Sequence, residues 1–296
     1  MTPREKLREM LVKREKIMAP GAYDAWSAML IEKAGFPAVY MTGYGVSASM
    51  LGKPDIGLLT QTEMTMAAKN ISEAVNLPVI ADADTGYGGN LNVIRTVKEY
   101  EKAGVSAIQL EDQVFPKRCG HMEGKEVISK EEMAAKIRAA AYARKDKNLV
   151  IIARTDARAM LGFDEALSRA KAYVEAGADV IFFEAPQSVE EMKKVAAELK
   201  VPLLANMVEK GKTPLLTADE LTKMGFNLII YPASLLYTAT NALNIMLKRL
   251  KDEETTANML SDMITFGDFN DSINLAKLRD IEKSFTRQSV YDKIVM

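Results

Sequence analysis

Residues 78–112 read PVIADADTGYGGNLNVIRTVKEYEKAGVSAIQLED. An apolar run, Pro78–Asp84, leads into a segment with helical spacing, Leu91–Ala103, then an Ala-Gly stop and a second apolar run, Ala107–Asp112. The runs are apolar at consecutive positions. Strands look like this when helices cover one face and packed side chains fill the other. The glycine supplies the left-handed conformation that ends a helix. The stretch therefore reads as strand, helix, strand, with the two strands parallel.

Outward from it the same phrase recurs. Further apolar runs lie at Ile17–Pro20, Ala38–Gly43, Val150–Asp156, Val180–Ala185, Pro202–Met207 and Leu228–Pro232. Helical segments between them are predicted at Tyr23–Ala34, Gln61–Val75, Lys130–Ala143, Asp164–Ala176, Ser188–Leu199, Thr217–Met224 and Leu235–Leu250. KAGFPAV, KAGVSAI, EAGADVI and KMGFNLI repeat the junction of helix, glycine and strand. Eight runs with no linker between them predict one domain over 1–296, a (β/α)₈ TIM barrel, rather than two doubly wound halves. A helical extension follows at about 252–296, with Met-rich stretches suited to the core or to a neighbouring subunit.

Composition narrows the function. With 39 Lys plus Arg against 40 Asp plus Glu, the net charge of −1 speaks against a nucleic-acid partner, because counterion release needs clustered basic charge. One cysteine, Cys119, rules out an intrachain disulfide and any CxxC motif, and one histidine, His121, rules out His-rich metal sites. A metal would need oxygen ligands, which favours Mg²⁺, with Mn²⁺ as an alternative. MTPREKLREMLVKREKIMAPG at the start reads as a charged, helix-like segment with no long apolar run, so neither a signal peptide nor a membrane anchor is expected there, and the cytoplasm is the expected location.

In a barrel the active site lies where the strands end. Those ends read MTGYG, DADTGYGG, EDQ, ARTDAR, FEAPQS and ANMVE. Charges on buried runs are costly unless paired or metal-bound, so Asp82, Asp84, Glu111, Arg154 and Glu184 need a common explanation. Asp82 and Asp84, two apart, are expected on one face of their strand; if that face is the lumen they converge with Glu111 on a cluster that either raises its pKa values or binds a divalent cation. The competing reading is an ion-pair network with Arg154 and nearby lysines. The loop VFPKRCGHMEGKEVISKEE places Cys119 beside Lys117 and Arg118, where a thiol is expected to be acidified and to serve as a proton donor or a nucleophile. Gly120 and Gly124 would let the loop move, and Ser129 with Glu132 resembles a helix-capping box. DTGYGG lacks the spacing of a nucleotide-binding loop.

The phrases DADTGYGG, LEDQ, PKRCGH, ARTDAR, FEAP and LLANM, spread from about Met18 to Phe285, resemble those of the isocitrate lyase/phosphoenolpyruvate mutase superfamily, and PKRCGH resembles its lyase branch. The resemblance implies a barrel whose last helix is swapped between subunits, a homotetramer built as a dimer of dimers, and a 2-hydroxy dicarboxylate substrate chelated to Mg²⁺. It implies Asp84 as the direct metal ligand, Asp82 and Glu111 as holders of the metal's waters, and Asp55 nearby. Arg154 matches a substrate-carboxylate arginine, and Tyr40, Thr42, Gly43 and Tyr44 match the stretch that holds a pyruvyl carboxylate. Glu184 and Asn206 match residues beside the leaving fragment, and Lys117 and Cys119 lie on a gating loop with Cys119 as the acid. TGYGVSASMLG and FFEAPQS are similar to phrases of the 2-alkylmalate lyases of the 2,3-dimethylmalate lyase and petal death protein type, and Thr265-Phe266 stands where methylisocitrate lyases show Thr-Arg. The implied activity is cleavage of 2,3-dimethylmalate to propionate and pyruvate. The alternatives are 2-methylisocitrate lyase, oxaloacetate hydrolase, carboxyphosphonoenolpyruvate mutase, and a non-catalytic dicarboxylate-binding barrel.

Overall fold

Eight parallel strands close on themselves in sequential order in the computed structural model of the chain. The structure describes residues 1–120 and 124–286, so His121 lies outside the described residues. The strands are β1 (Ile17–Ala22), β2 (Val39–Met41), β3 (Val79–Asp82), β4 (Ala107–Glu111), β5 (Val150–Thr155), β6 (Val180–Phe183), β7 (Leu203–Asn206) and β8 (Phe226–Tyr231). Ile17 opposite Leu228 closes the ring, and Glu111 sits opposite Arg154. The helices are α1 (Pro3–Val12), α2 (Ala25–Lys33), α3 (Gly43–Leu51), α4 (Gln61–Ala74), α5 (Asn90–Lys102), α6 (Lys130–Ala143), α7 (Arg158–Leu161), α8 (Phe163–Glu175), α9 (Val189–Glu198), α10 (Ala218–Met224), α11 (Ser234–Glu253), α12 (Phe266–Ser272) and α13 (Leu275–Thr286).

Alternation along the strands divides the core into two shells. Ile80, Ala107, Ile152, Phe182, Leu204 and Ile230 fill the lumen, while Ala81, Ile108, Ile151, Ile181 and Ile229 face the helices. The predicted glycine stops are present: Gly35, Gly104, Gly177 and Gly225 all have positive φ, between 82° and 113°. Leu7, Met10 and Leu11 of α1 join the lumen cluster. Arg4 Nε donates to the Val105 carbonyl at 2.8 Å and Arg8 Nη1 to Asp179 at 2.7 Å. Val105 and Asp179 precede β4 and β6, so α1 stoppers the N-terminal mouth.

Two helices have no counterpart among the predicted segments. TGYGVSASM hides α3 because its glycines and small residues blur the helical period, and it forms on a Thr42 cap that accepts from the Gly45 N–H at 3.3 Å. The four residues of α7 are too few to show a period. Asp82 and Asp84 do not share a strand face. β3 ends at Asp82, and Asp84 turns into the left-handed region (φ 48°), donating its N–H to Asp82 Oδ1 at 3.1 Å. At α6, Ser129 Oγ accepts from the Glu132 N–H at 3.1 Å, which is one half of the capping box.

The chain divides into two compact units, Met1–Thr238 and Ala239–Met296. The second holds most of α11, a 3₁₀ turn at Ala257–Asp262, α12 and α13. Arg249 staples it, pairing with Glu253 at 3.1 Å and Asp262 at 2.8 Å. Met259 is buried, whereas Leu243, Leu247, Leu260, Phe266 and Leu278 are exposed. No helix among the described residues is long and apolar enough to cross a membrane.

Candidate active site

At the C-terminal ends of the strands a cavity of about 610 Å³, mouth included, is walled by Tyr40, Thr42, Tyr44, Asp55, Asp82, Glu111, Lys117, Cys119, Arg154 and Asn206 among others. Tyr40, Asp82, Glu111 and Arg154 continue the lumen-facing register of their strands, so the alternation that fills the barrel with apolar groups also delivers its polar groups to one place. Gly43, Asp84 and Glu184 stand behind the wall. A methyl group at Gly43 would lie 2.6 Å from Asp82 Oδ2, so only glycine lets the acid come this close. Glu184 accepts from Asn206 Nδ2 at 3.3 Å.

The acids are matched by two buried cations. Lys117 Nζ lies 2.6 Å from Asp55 and 2.7 Å from Asp84. The second contact is one of charge, since Asp84 Oδ1 has no hydrogen bond of suitable direction among the described residues. Burial pushes Asp84 up to about 7 against the pull of Lys117, and burial also lifts Glu111 well above the usual carboxylate range. Burial alone would lower Lys117, but Asp84, Asp55 and Glu111 hold it well above its ordinary value. Tyr40, pushed far up by burial, stays a neutral phenol and donates to Gln109 at 3.1 Å.

Arg154 is fixed from below. Its Nε and Nη2 donate to the two oxygens of Asp156 at 2.8 and 3.0 Å, and Nη1 lies 3.4 Å from Glu111. The guanidinium also sits 4.9 Å from the Phe182 ring centroid. Burial pushes Asp156 up, but Arg154 and Lys125 outweigh it and hold the acid down at about 2. Asp112 anchors this layer, accepting from the Asp156 N–H, Thr155 Oγ1 and the Tyr173 hydroxyl, each at 2.8 Å. On the loop, the Cys119 N–H donates to the Asp55 carbonyl at 3.1 Å, and Gln113 clamps the Arg118 backbone from both sides at 2.8 and 2.9 Å.

Every site residue expected from the sequence is on this wall or directly behind it. Sequence reasoning missed Phe182, Val208, Ile230, Pro232 and Tyr237, which also line the cavity, and Asp156, which holds Arg154. Asp156 had a signal, since it lies two residues beyond Arg154 in ARTDAR. Tyr237 had none, because its place beside Tyr44, at 6.1 Å between ring centroids, depends on the closure of β8 against β1. Phe266 is 87% exposed and belongs to the second unit.

The donor set suits a hard divalent ion. Asp82, Asp84 and Glu111 are buried carboxylates, and Asp84 Oδ1 and Glu111 Oε1 lack hydrogen-bond partners among the described residues. Among the described residues no three His, Cys, Asp or Glu side chains are grouped so that they could hold a metal ion as they stand. Mg²⁺ tolerates that, because it keeps several waters and takes few direct protein ligands.

The sequence profile of the phosphoenolpyruvate phosphomutase family matches residues 7–251. The chain is 54% identical over 285 residues to 2,3-dimethylmalate lyase of Eubacterium barkeri, covering 96% of this chain and 99% of that protein. A crystal structure of 2,3-dimethylmalate lyase superposes with a TM-score of 0.93 at 39% identity, over 97% of both chains. Phosphonopyruvate hydrolase in complex with oxalate and Mg²⁺ superposes with a TM-score of 0.88 at 30% identity, over 97% of this chain and 100% of that one. With profile, identity and architecture agreeing over nearly its whole length, the chain belongs to the phosphoenolpyruvate phosphomutase family, within the PEP mutase/isocitrate lyase superfamily.

Proposed function

We propose that the protein is a Mg²⁺-dependent carbon–carbon lyase that cleaves a 2-alkylmalate, with 2,3-dimethylmalate going to propionate and pyruvate. The observation that carries this is Cys119 on the same cavity wall as Asp82, Glu111 and Arg154, so that a proton donor faces a cation site and a carboxylate-binding group. Asp84, Asp82 and Glu111 would hold the ion, which when bound lowers the pKa of a substrate hydroxyl. Arg154 pairs with a substrate carboxylate, and its fixed geometry favours the charge that develops there. The hydroxyl loses its proton, its oxygen becomes the pyruvate carbonyl, and the electrons of the bond between carbons 2 and 3 pass to the departing carboxylate as an enediolate. Cys119 then gives its thiol proton to carbon 3. Glu184 and Asn206 lie beside that fragment. A base at the cavity takes the hydroxyl proton.

Val208, Ile230, Pro232 and Ala233 give the cavity an apolar side suited to an alkyl group. Arg118, also on the wall, favours a second reading, 2-methylisocitrate with its third carboxylate. We also propose a homotetramer with helices exchanged between copies, the second unit being the helical extension of a single barrel domain. Support comes from an apolar groove formed by Met18, Pro20, Leu30, Ile31, Phe36, Tyr231 and Leu235, and from α11, none of whose residues is buried. A cytoplasmic location fits a chain with a lone cysteine.

Pyruvate release from a panel of 2,3-dimethylmalate, 2-methylisocitrate and oxaloacetate tests the substrate. Preference for the first is expected, and preference for either of the others replaces this reading. Cys119→Ala is expected to bind oxalate with Mg²⁺ as the wild type does and to lose turnover by a factor on the order of 10² or more. Near-normal turnover removes Cys119 as the acid.

A further inference from the structure

Lys125 lines no part of the cavity, yet its side chain is only 2% exposed. A buried ammonium is costly unless its donors are used. This one spans two oxygens from different parts of the site, Asp156 Oδ1 at 2.9 Å and the carbonyl oxygen of Gly120. Asp156 grips Arg154 with both of its oxygens. Gly120 directly follows Cys119, and a methyl group placed there would overlap Arg154 Nη2 and Glu184 Oε1, so the backbone lies flat against the arginine.

We propose that Lys125 is a positioning residue: by binding the Gly120 carbonyl and Asp156 together, it sets the Cys119 thiol and the Arg154 guanidinium relative to each other. A loop held at Cys119 by the Asp55 carbonyl but without the link to Asp156 would leave the proton donor able to shift against the carboxylate-binding group, and a displacement of about 1 Å can cost on the order of 10² in rate. Without Lys125 the arginine keeps its carboxylate partner and the Cys119 N–H keeps the Asp55 carbonyl, while the Gly120 carbonyl loses its link to Asp156. The inference rests on the proposed roles of Cys119 and Arg154.

The test is Lys125→Met, followed by two readouts. Cys119 is the only thiol in the chain, so iodoacetamide reports this one position. In the wild type, oxalate with Mg²⁺ is expected to slow alkylation. In Lys125→Met alkylation is expected to be faster and oxalate to slow it no longer, while kcat for pyruvate release falls by roughly 10² and KM changes far less. Lys125→Arg, which keeps the charge, is expected to restore part of both. Alkylation and oxalate protection equal to wild type overturn the proposal, whatever the activity. If Lys125→Met does not fold, Lys125→Gln carries the same two outcomes. Alkylation needs no turnover, so a failure of the substrate panel leaves this test intact.

Discussion

Asp156 is buried and accepts from two cations, Arg154 through both oxygens and Lys125 through one. Its folded pKa of about 2 lies below the ordinary 3.8, so it contributes stability that is present above pH 3.8 and is lost as the pH falls through 2. The size is on the order of 2 kcal/mol. Urea unfolding of wild type and Asp156→Asn is expected to show a gap that is widest at pH 5 and narrows as the pH falls toward 2. A gap constant across that window would mean that Asp156 acts through shape rather than charge. At this scale the sequence was most legible where a charge interrupts an apolar run, as at Asp82, Glu111 and Arg154, because burial makes such charges conspicuous. Lys125 was not legible: it sits in a polar loop, where lysine is ordinary, and its burial depends on how the loop folds back over Asp156.

The helices and strands follow from local chemistry. Each of the four glycine stops takes the left-handed conformation expected of it, and the apolar runs become the strands within a residue or two at most ends. Where a run overshoots, the reason is backbone geometry: Asp84 leaves the strand at positive φ, so strand alternation does not aim it, and its hydrogen bond to Asp82 does. The role of α1 was also hidden. MTPREKLREMLV reads as a charged helix, and only the ring of strands gives Leu7, Met10 and Leu11 a lumen to enter. Leu7→Ala, which truncates a fully buried side chain there, is expected to cost about 3 kcal/mol of stability. KM is expected to stay within about twofold, since the site lies at the opposite mouth. Chemical denaturation together with steady-state kinetics checks both; a large KM change with unchanged stability would contradict the stopper role.

For the whole molecule, eight apolar runs and a helix-glycine-strand junction repeated four times made the barrel readable, whereas assembly was not, because an apolar residue that would face a second copy looks like any core residue. Leu30 is 41% exposed in the groove beside β1 and β8. Leu30→Glu is expected to shift the protein to smaller species in sedimentation velocity by placing a charge against an apolar partner. An unchanged sedimentation coefficient would remove this groove from the proposed interface. The stopper made by α1 has an effect beyond stability. A vessel stoppered at its base opens, among the described residues, at its other mouth, past the segment carrying Cys119. Reactant and both products must share it, so on the proposed chemistry the fragment formed nearer Cys119 departs first and the pyruvate held over the acids waits behind it.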